Sequence, residues 1–301
     1  MDITSEGRVL FASEELRSEI SGIDPATGKL RTGLAWFDGT AVTDLLPDGT
    51  AMLGYEWGGP AGPLYMAIYR KLDGSAPVRL GDGAMVKFSP DRTIAAAGVE
   101  TDPPYIALYP IGPGEVRKFP LPDVISLSVL TWFPDGKHIL IGGAKKGEAL
   151  RSYRIDLETG NLQVCGPAGF LGVAIANDGK RIAGFDETGK SVIFNTETQR
   201  LREIPGITQD SSSELESKVE QLGELWTDDG KALIVNKSTL FGGEIYRLDL
   251  ETGKSTLLQK FELSDKAGSL FRLRVLYAPK TILMCIVSAV FSPNCTLSMG
   301  W

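Results

Sequence analysis

Large apolar residues recur along this chain at a fixed distance from a short polar turn. The turn reads Ser5-Glu6-Gly7-Arg8, Pro47-Asp48-Gly49-Thr50, Pro90-Asp91-Arg92-Thr93, Pro134-Asp135-Gly136-Lys137, Asn177-Asp178-Gly179-Lys180 and Asp228-Asp229-Gly230-Lys231. Its third position falls at residues 7, 49, 92, 136, 179 and 230, so the spacings are 42, 43, 44, 43 and 51. Four residues upstream of it stand Ile3, Leu45, Phe88, Trp132, Ile175 and Trp226. Three residues downstream stand Leu10, Met52, Ala95, Ile139, Ile182 and Leu233. An apolar register fixed on both sides of an Asp-Gly turn predicts a β-hairpin with one face in a core. Glycine supplies the positive φ of the turn, and the aspartate bonds its own backbone.

A second signature follows most of the hairpins, by 16 to 24 residues. It reads Asp24-Pro25-Ala26-Thr27-Gly28, Asp156-Leu157-Glu158-Thr159-Gly160 and Asp249-Leu250-Glu251-Thr252-Gly253, with weaker copies at Asp73-Gly74 and Asn195-Thr196-Glu197-Thr198. A unit of about 43 residues holding four short strands has the size of a propeller blade. The expected fold is therefore all-β, a β-propeller. At this period 301 residues give seven units, the seventh marker being due near residue 281. We expect seven blades with an incomplete last one; the alternative is six blades plus an extra hairpin. The longest unit carries a polar insertion, Asp210 to Lys218, expected to be a surface loop. The period runs from end to end, so residues 1–301 are expected to form a single domain.

Composition narrows the chemistry. The chain is 43% hydrophobic and 23% charged, with 35 glycines and 17 prolines, as a turn-rich globular fold requires. A net charge of −7 argues against nucleic acid as a partner, because phosphate contacts would need basic clustering against the overall field. One histidine and three cysteines without a Cys-x-x-Cys leave little for a zinc site or a disulfide framework, so no cofactor and no metal is expected. No secretory signal opens the chain, and its longest apolar run, Ile282 to Phe291, is too short to span a membrane. As written, the chain is expected to be cytoplasmic.

The repeat resembles the propeller repeats of the Tol translocation protein and of the prolyl oligopeptidases. Trp36-Phe37-Asp38, Asp44-Leu45-Leu46-Pro47-Asp48-Gly49, Thr131 to Leu140 and Ile245 to Gly253 are more similar still to the propeller found C-terminal to serine/threonine kinase domains of acidobacteria. Those propellers often lie beyond a membrane span. This chain has no kinase glycine loop and no His-Arg-Asp motif, so the resemblance implies no kinase activity. Residues 281–301 depart from the pattern, with 21 residues and no charge. The related propellers end differently, in a sequence that a neighbouring reading frame of this tail can spell. We read 281–301 as an anomalous tail translated out of frame. The tail is expected to pair poorly and to drive self-association through an open apolar edge, the N-terminus having no strand to lend.

Catalytic constellations are missing at the level of sequence. There is no Gly-x-Ser-x-Gly, and His138 reads as an ordinary strand residue. Gly58 to Pro63 is glycine-rich but lacks the Lys-Ser/Thr of a phosphate loop. Trp132 and Trp226 share one register and read as core. Trp36, Phe37, Tyr55 and Trp57 lie on or beside loops and are the candidate binding residues. The expected function is a non-enzymatic binding or sensor-type scaffold, holding a protein, peptide or small molecule on one propeller face. The alternative is a propeller enzyme of lactonase, lyase or hydrolase type, working with carboxylates at the channel mouth, with or without a divalent cation.

Overall fold

The computed structural model describes residues 2–3, 9–10, 13–23, 27, 30–37, 39–205, 220–239, 242–262, 269–278, 281–292 and 296–297. The expected turn at Ser5–Arg8, the insertion 210–218 and the last residues of the tail lie outside them, as does the side chain of Ile3. The chain is an all-β propeller. Five blades are each a run of four consecutive antiparallel strands, spanning residues 40–82, 84–120, 124–164, 171–203 and 220–262. A sixth four-stranded sheet closes the ring and is composite. Its strands Ser269–Ala278 and Thr281–Ser292 are followed by Ser13–Ile23 and Leu30–Arg31 from the other end of the chain. The first strands of the five blades touch in turn around the axis, and Ser269–Ala278 reaches the fifth blade through Ala232–Thr239 and the first through Thr40–Leu45.

The count of seven blades is thereby corrected, and so is the alternative of six blades plus an extra hairpin: five blades are continuous in the chain, and the sheet that closes the ring is shared by its two ends. The expectation that the N-terminus has no strand to lend is also overturned. Thr281–Ser292 pairs with Ser269–Ala278 on one side and, from Ile282↔Ile23 to Ser292↔Ser13, with the N-terminal strand on the other. The tail strand is therefore interior to a sheet, and the open edge expected of it is absent there. Asp2–Ile3 opens no blade: it pairs with Val9–Leu10 in a small separate sheet with Thr296–Leu297, and Ser13–Ile23 is the strand that the N-terminal part of the chain lends.

The hairpin turns are built as the sequence implies. Asp48, Asp91, Asp135, Asp178 and Asp229 each accept the amide two residues on, at 2.8 to 3.1 Å. Gly49, Gly136, Gly179 and Gly230 take φ between 64° and 69°, and Arg92 is held at 65° where its siblings are glycine. The apolar register packs between blades, although Phe88 and Ile175 are half-buried while Leu45, Trp132 and Trp226 are buried. Both indoles are stitches. Trp132 Nε1 donates to Lys87 O at 3.1 Å and Trp226 Nε1 to Ala174 O at 3.2 Å, each in the preceding blade.

A further regularity sits deeper. The innermost strand of every sheet in the ring carries a register shift against its neighbour. Such bulges bend the strand around the axis. In four blades a glycine faces the bulge, and its absent Cβ makes room: at Gly54 it would lie 2.3 Å from Ala41 O, at Gly184 2.1 Å from Leu171 O. Gly98 and Gly142 are similarly crowded by Met85 and Leu171.

Candidate functional site

The four candidate aromatics cluster at one end of the first blade, on the propeller face opposite the Asp-Gly turns. Trp36 and Phe37 lie on the connection entering Thr40–Leu45; Tyr55 is the last residue but one of the strand Ala51–Glu56, and Trp57 follows that strand. The rings of Trp36 and Phe37 stack at 5.0 Å and 17°. Tyr55 lies 6.2 Å from Trp57 and 5.5 Å, edge to face, from Tyr65. Trp36 packs with Ala61, Met66 and Ile68, whereas Tyr55 packs with Leu53 and Ala67 on the other side of the sheet. Side chains alternate across a strand, so the blade end carries two aromatic ledges, one on each side.

Buried polar chemistry holds the first ledge. The Thr40 hydroxyl accepts the amides of Trp36 at 2.8 Å and Phe37 at 3.2 Å, and donates to the Glu56 carboxylate. Glu56 is fully buried. Arg70 turns its guanidinium onto the same loop, donating to Leu34 O at 2.8 Å, Ala35 O at 3.1 Å and Gly33 O at 3.4 Å. Burial lowers the pKa of this guanidinium from its ordinary value, and the Glu56 charge works against that shift. One ionic group thus pins three successive carbonyls, and the loop presents its rings without fraying.

Strain marks the second ledge. Tyr65 takes φ 60°, the left-handed region that a bulky residue rarely enters, and remains 38% exposed. The Gly83 amide faces the Leu64 and Tyr65 carbonyls at 3.1 and 3.3 Å and holds the turn. Gly39 lies under Trp57, whose amide donates to Gly39 O at 2.9 Å, and a Cβ there would come 2.3 Å from Trp57 O.

Sequence reasoning missed Tyr65, Thr40, Glu56 and Arg70. A signal for Glu56 was present, since Gly54-Tyr55-Glu56, Gly98-Val99-Glu100 and Gly184-Phe185-Asp186 repeat one ending. Among these three acids only Glu56 is buried, which the pattern alone does not tell. Among the described residues no group of three or more His, Cys, Asp or Glu could hold a metal ion. Nor is any helix of the described residues long and apolar enough to cross a membrane. The ledges can stack on planar or apolar groups and attract cations to ring faces.

No protein-family model matches the sequence, and no curated protein matches it. Solved structures do match. A protein assigned as TolB from Agrobacterium tumefaciens shares 15% identity over 93% of this chain and 99% of its own, with a TM-score of 0.60. TolB from Acinetobacter baumannii shares 16% over 82% of this chain and 68% of its own, with a TM-score of 0.56. Oligogalacturonate lyase from Vibrio parahaemolyticus shares 16% over 87% and 78%, with a TM-score of 0.54. Nothing in these comparisons supports the finer resemblance to kinase-linked propellers. At such identities the likeness speaks for architecture alone, that of a β-propeller.

Proposed function

We propose that this chain is a binding propeller that takes an extended peptide segment of a partner protein across the aromatic end of its first blade. The observation that carries the reading is the braced Trp36–Phe37 stack, held by Thr40, Glu56 and Arg70 and followed around the blade end by Tyr55, Trp57 and Tyr65. Rigid aromatics on a pre-organised loop bind at low entropic cost. The fold itself is neutral, since its neighbours include TolB as well as a protein named as a lyase.

The test is selection of phage-displayed peptides on the wild-type chain, counter-selected on a Trp36→Ala, Trp57→Ala double variant. Selected peptides should change tryptophan emission in the wild type and lose at least about tenfold in affinity with either single variant, as aromatic hot spots do. Peptides that bind both proteins equally would refute the site. Turnover of oligogalacturonate by the wild-type chain would replace the binding reading by the enzymatic one.

A further inference from the structure

The third and fourth blades leave a cleft of about 160 Å³ between them, on the Asp-Gly turn face and away from the aromatic ledges. Arg154, Gln163 and Cys165 line it from the third blade together with Phe133, and Phe194 and Gln199 face them from the fourth. The repeat supplies an internal control. Tyr153-Arg154-Ile155-Asp156-Leu157-Glu158-Thr159-Gly160 and Tyr246-Arg247-Leu248-Asp249-Leu250-Glu251-Thr252-Gly253 differ at one position. In the fifth blade Arg247 is ion-paired with Asp229 and Asp249, both at 3.8 Å. In the third blade the equivalent acids are taken. His138 Nδ1 lies 2.7 Å from Asp135 and Nε2 lies 3.4 Å from Asp156. Alanine, Ala232, stands in the place of that histidine in the fifth blade.

Two more departures from the repeat converge on the same cleft. Phe133 replaces Thr227, so the Arg154 guanidinium lies over a ring, 5.9 Å from its centre, instead of beside a hydroxyl that engages the aspartate at 2.6 Å. Gln199 replaces Gly160 and Gly253 in the second turn and is held at φ 57°, where they have 75° and 70°. A left-handed glutamine costs strain that glycine does not, and such strain gathers at ligand sites.

We propose that this inter-blade cleft binds a small carboxylate with an apolar body, the carboxylate on Arg154 and the body between Phe133 and Phe194. The guanidinium fork matches a carboxylate, and no acid among the described residues occupies it. The Gln163 and Gln199 amides can serve the remaining lone pairs. A single positive charge balances a carboxylate and falls short of a dianionic phosphate. Burial pushes the Cys165 thiol up to about 11, so the cleft floor stays neutral and adds no competing charge. The volume is below the roughly 300–1,000 Å³ of drug-sized pockets, which sets the ligand small.

The experiment is a titration of the full chain with butyrate, and separately with inorganic phosphate, followed by the Arg Nε–Hε resonances. Butyrate should saturate in the millimolar range, shifting the Arg154 signal. Arg154→Gln should lose at least about tenfold in affinity. Should that variant fail to fold, Arg154→Lys keeps the charge without the fork and should lose a similar factor. His138→Ala should weaken butyrate by about threefold or more, because Asp135 and Asp156 become free to capture Arg154. A role of His138 in folding alone would leave that affinity unmoved. Failure to saturate, unchanged affinity in the arginine variants, an unmoved His138→Ala affinity, or tighter binding of phosphate than of butyrate each overturns the proposal.

Discussion

The third and fifth blades share a turn, a stitch and an eight-residue signature, yet their arginines have opposite lives. Arg247 is spent on Asp229 and Asp249, while Arg154 is left facing a cleft because His138 holds both equivalent acids. The signature fixes where an arginine stands; the residue across the hairpin decides whether it is structural or available. In a repeat protein, therefore, function is found at the departures from the repeat, where a residue breaks a pairing that its siblings keep. Phe133, His138 and Gln199 are such departures, and all three bear on the same cleft.

The largest expected effects test what the two blades have in common. Trp132→Ala and Trp226→Ala each remove a large buried indole and its hydrogen bond to the preceding blade, and each should cost about 3–5 kcal/mol in urea unfolding. Similar losses from both would confirm that the stitch is a property of the register. If either variant melts within about 2 °C of the parent, that blade does not depend on its stitch.

A smaller effect separates the blades at the bulge. Gly142 faces the bulge of the third blade, and a Cβ there would lie 2.3 Å from Leu171 Cδ1 and 2.7 Å from Ser128 Oγ. The corresponding stretch of the fifth blade holds Val235 and Asn236, both buried without glycine. Gly142→Ala should cost about 1–3 kcal/mol by overpacking. Because the nearest obstacle is a side chain from the next blade, Leu171→Ala should recover part of that loss in a double-mutant cycle. Strict additivity would mean that the clash is relieved some other way.

Much of this was legible in the sequence. The hairpin register, the turn aspartates and the second signature are local, and local patterns survive translation into structure. Ring closure was not legible, because Ser13–Ile23 carries no blade marker and finds its place only against a strand some 270 residues away, Ile23 pairing with Ile282. The aromatic ledge was half legible: four of its rings were named from their loops, but Tyr65 follows from a backbone conformation that no composition announces. Arg154 was readable in principle, by aligning two nearly identical signatures and asking what stood opposite each. His138 is not singled out by sequence because a lone histidine in a strand is usually unremarkable, and although Asp135 is close to it along the chain, Asp156 reaches it only across the strand pair.

Exchanging the histidine between blades should change which acids the arginines meet. Ala232→His places an imidazole beside Asp229 and Asp249, and should release Arg247 as His138 releases Arg154. The ion pairs contribute little, but Ala232 is fully buried, so the imidazole overpacks its site and the variant should lose about 1–3 kcal/mol. The Arg247 Nε–Hε resonance should move toward the position of Arg154. An unmoved resonance would show that the backbone, not the histidine, sets the two arginines apart.

The smallest expected effect is a titration. Burial alone would raise the Asp135 carboxyl, but the Lys137 amide and the His138 ring and amide outweigh it and hold the group below its usual 3.8. Asp229 is also held below 3.8, through the Thr227 hydroxyl first, then the Lys231 amide and the Arg247 charge. A carboxylate depressed in the folded state stabilises the fold fully above its unfolded value, and that contribution is lost as pH falls through the folded one. Stability should therefore be flat near neutrality and decline from about pH 4 downward. His138→Ala removes two of the interactions that depress Asp135, so its carboxyl resonance should titrate closer to 3.8 while that of Asp229 does not move. Equal shifts at both aspartates would mean that the two blades share one electrostatic environment. An unmoved Asp135 would mean that the turn amides alone depress it, and that the histidine, although in contact, is not what occupies the acid.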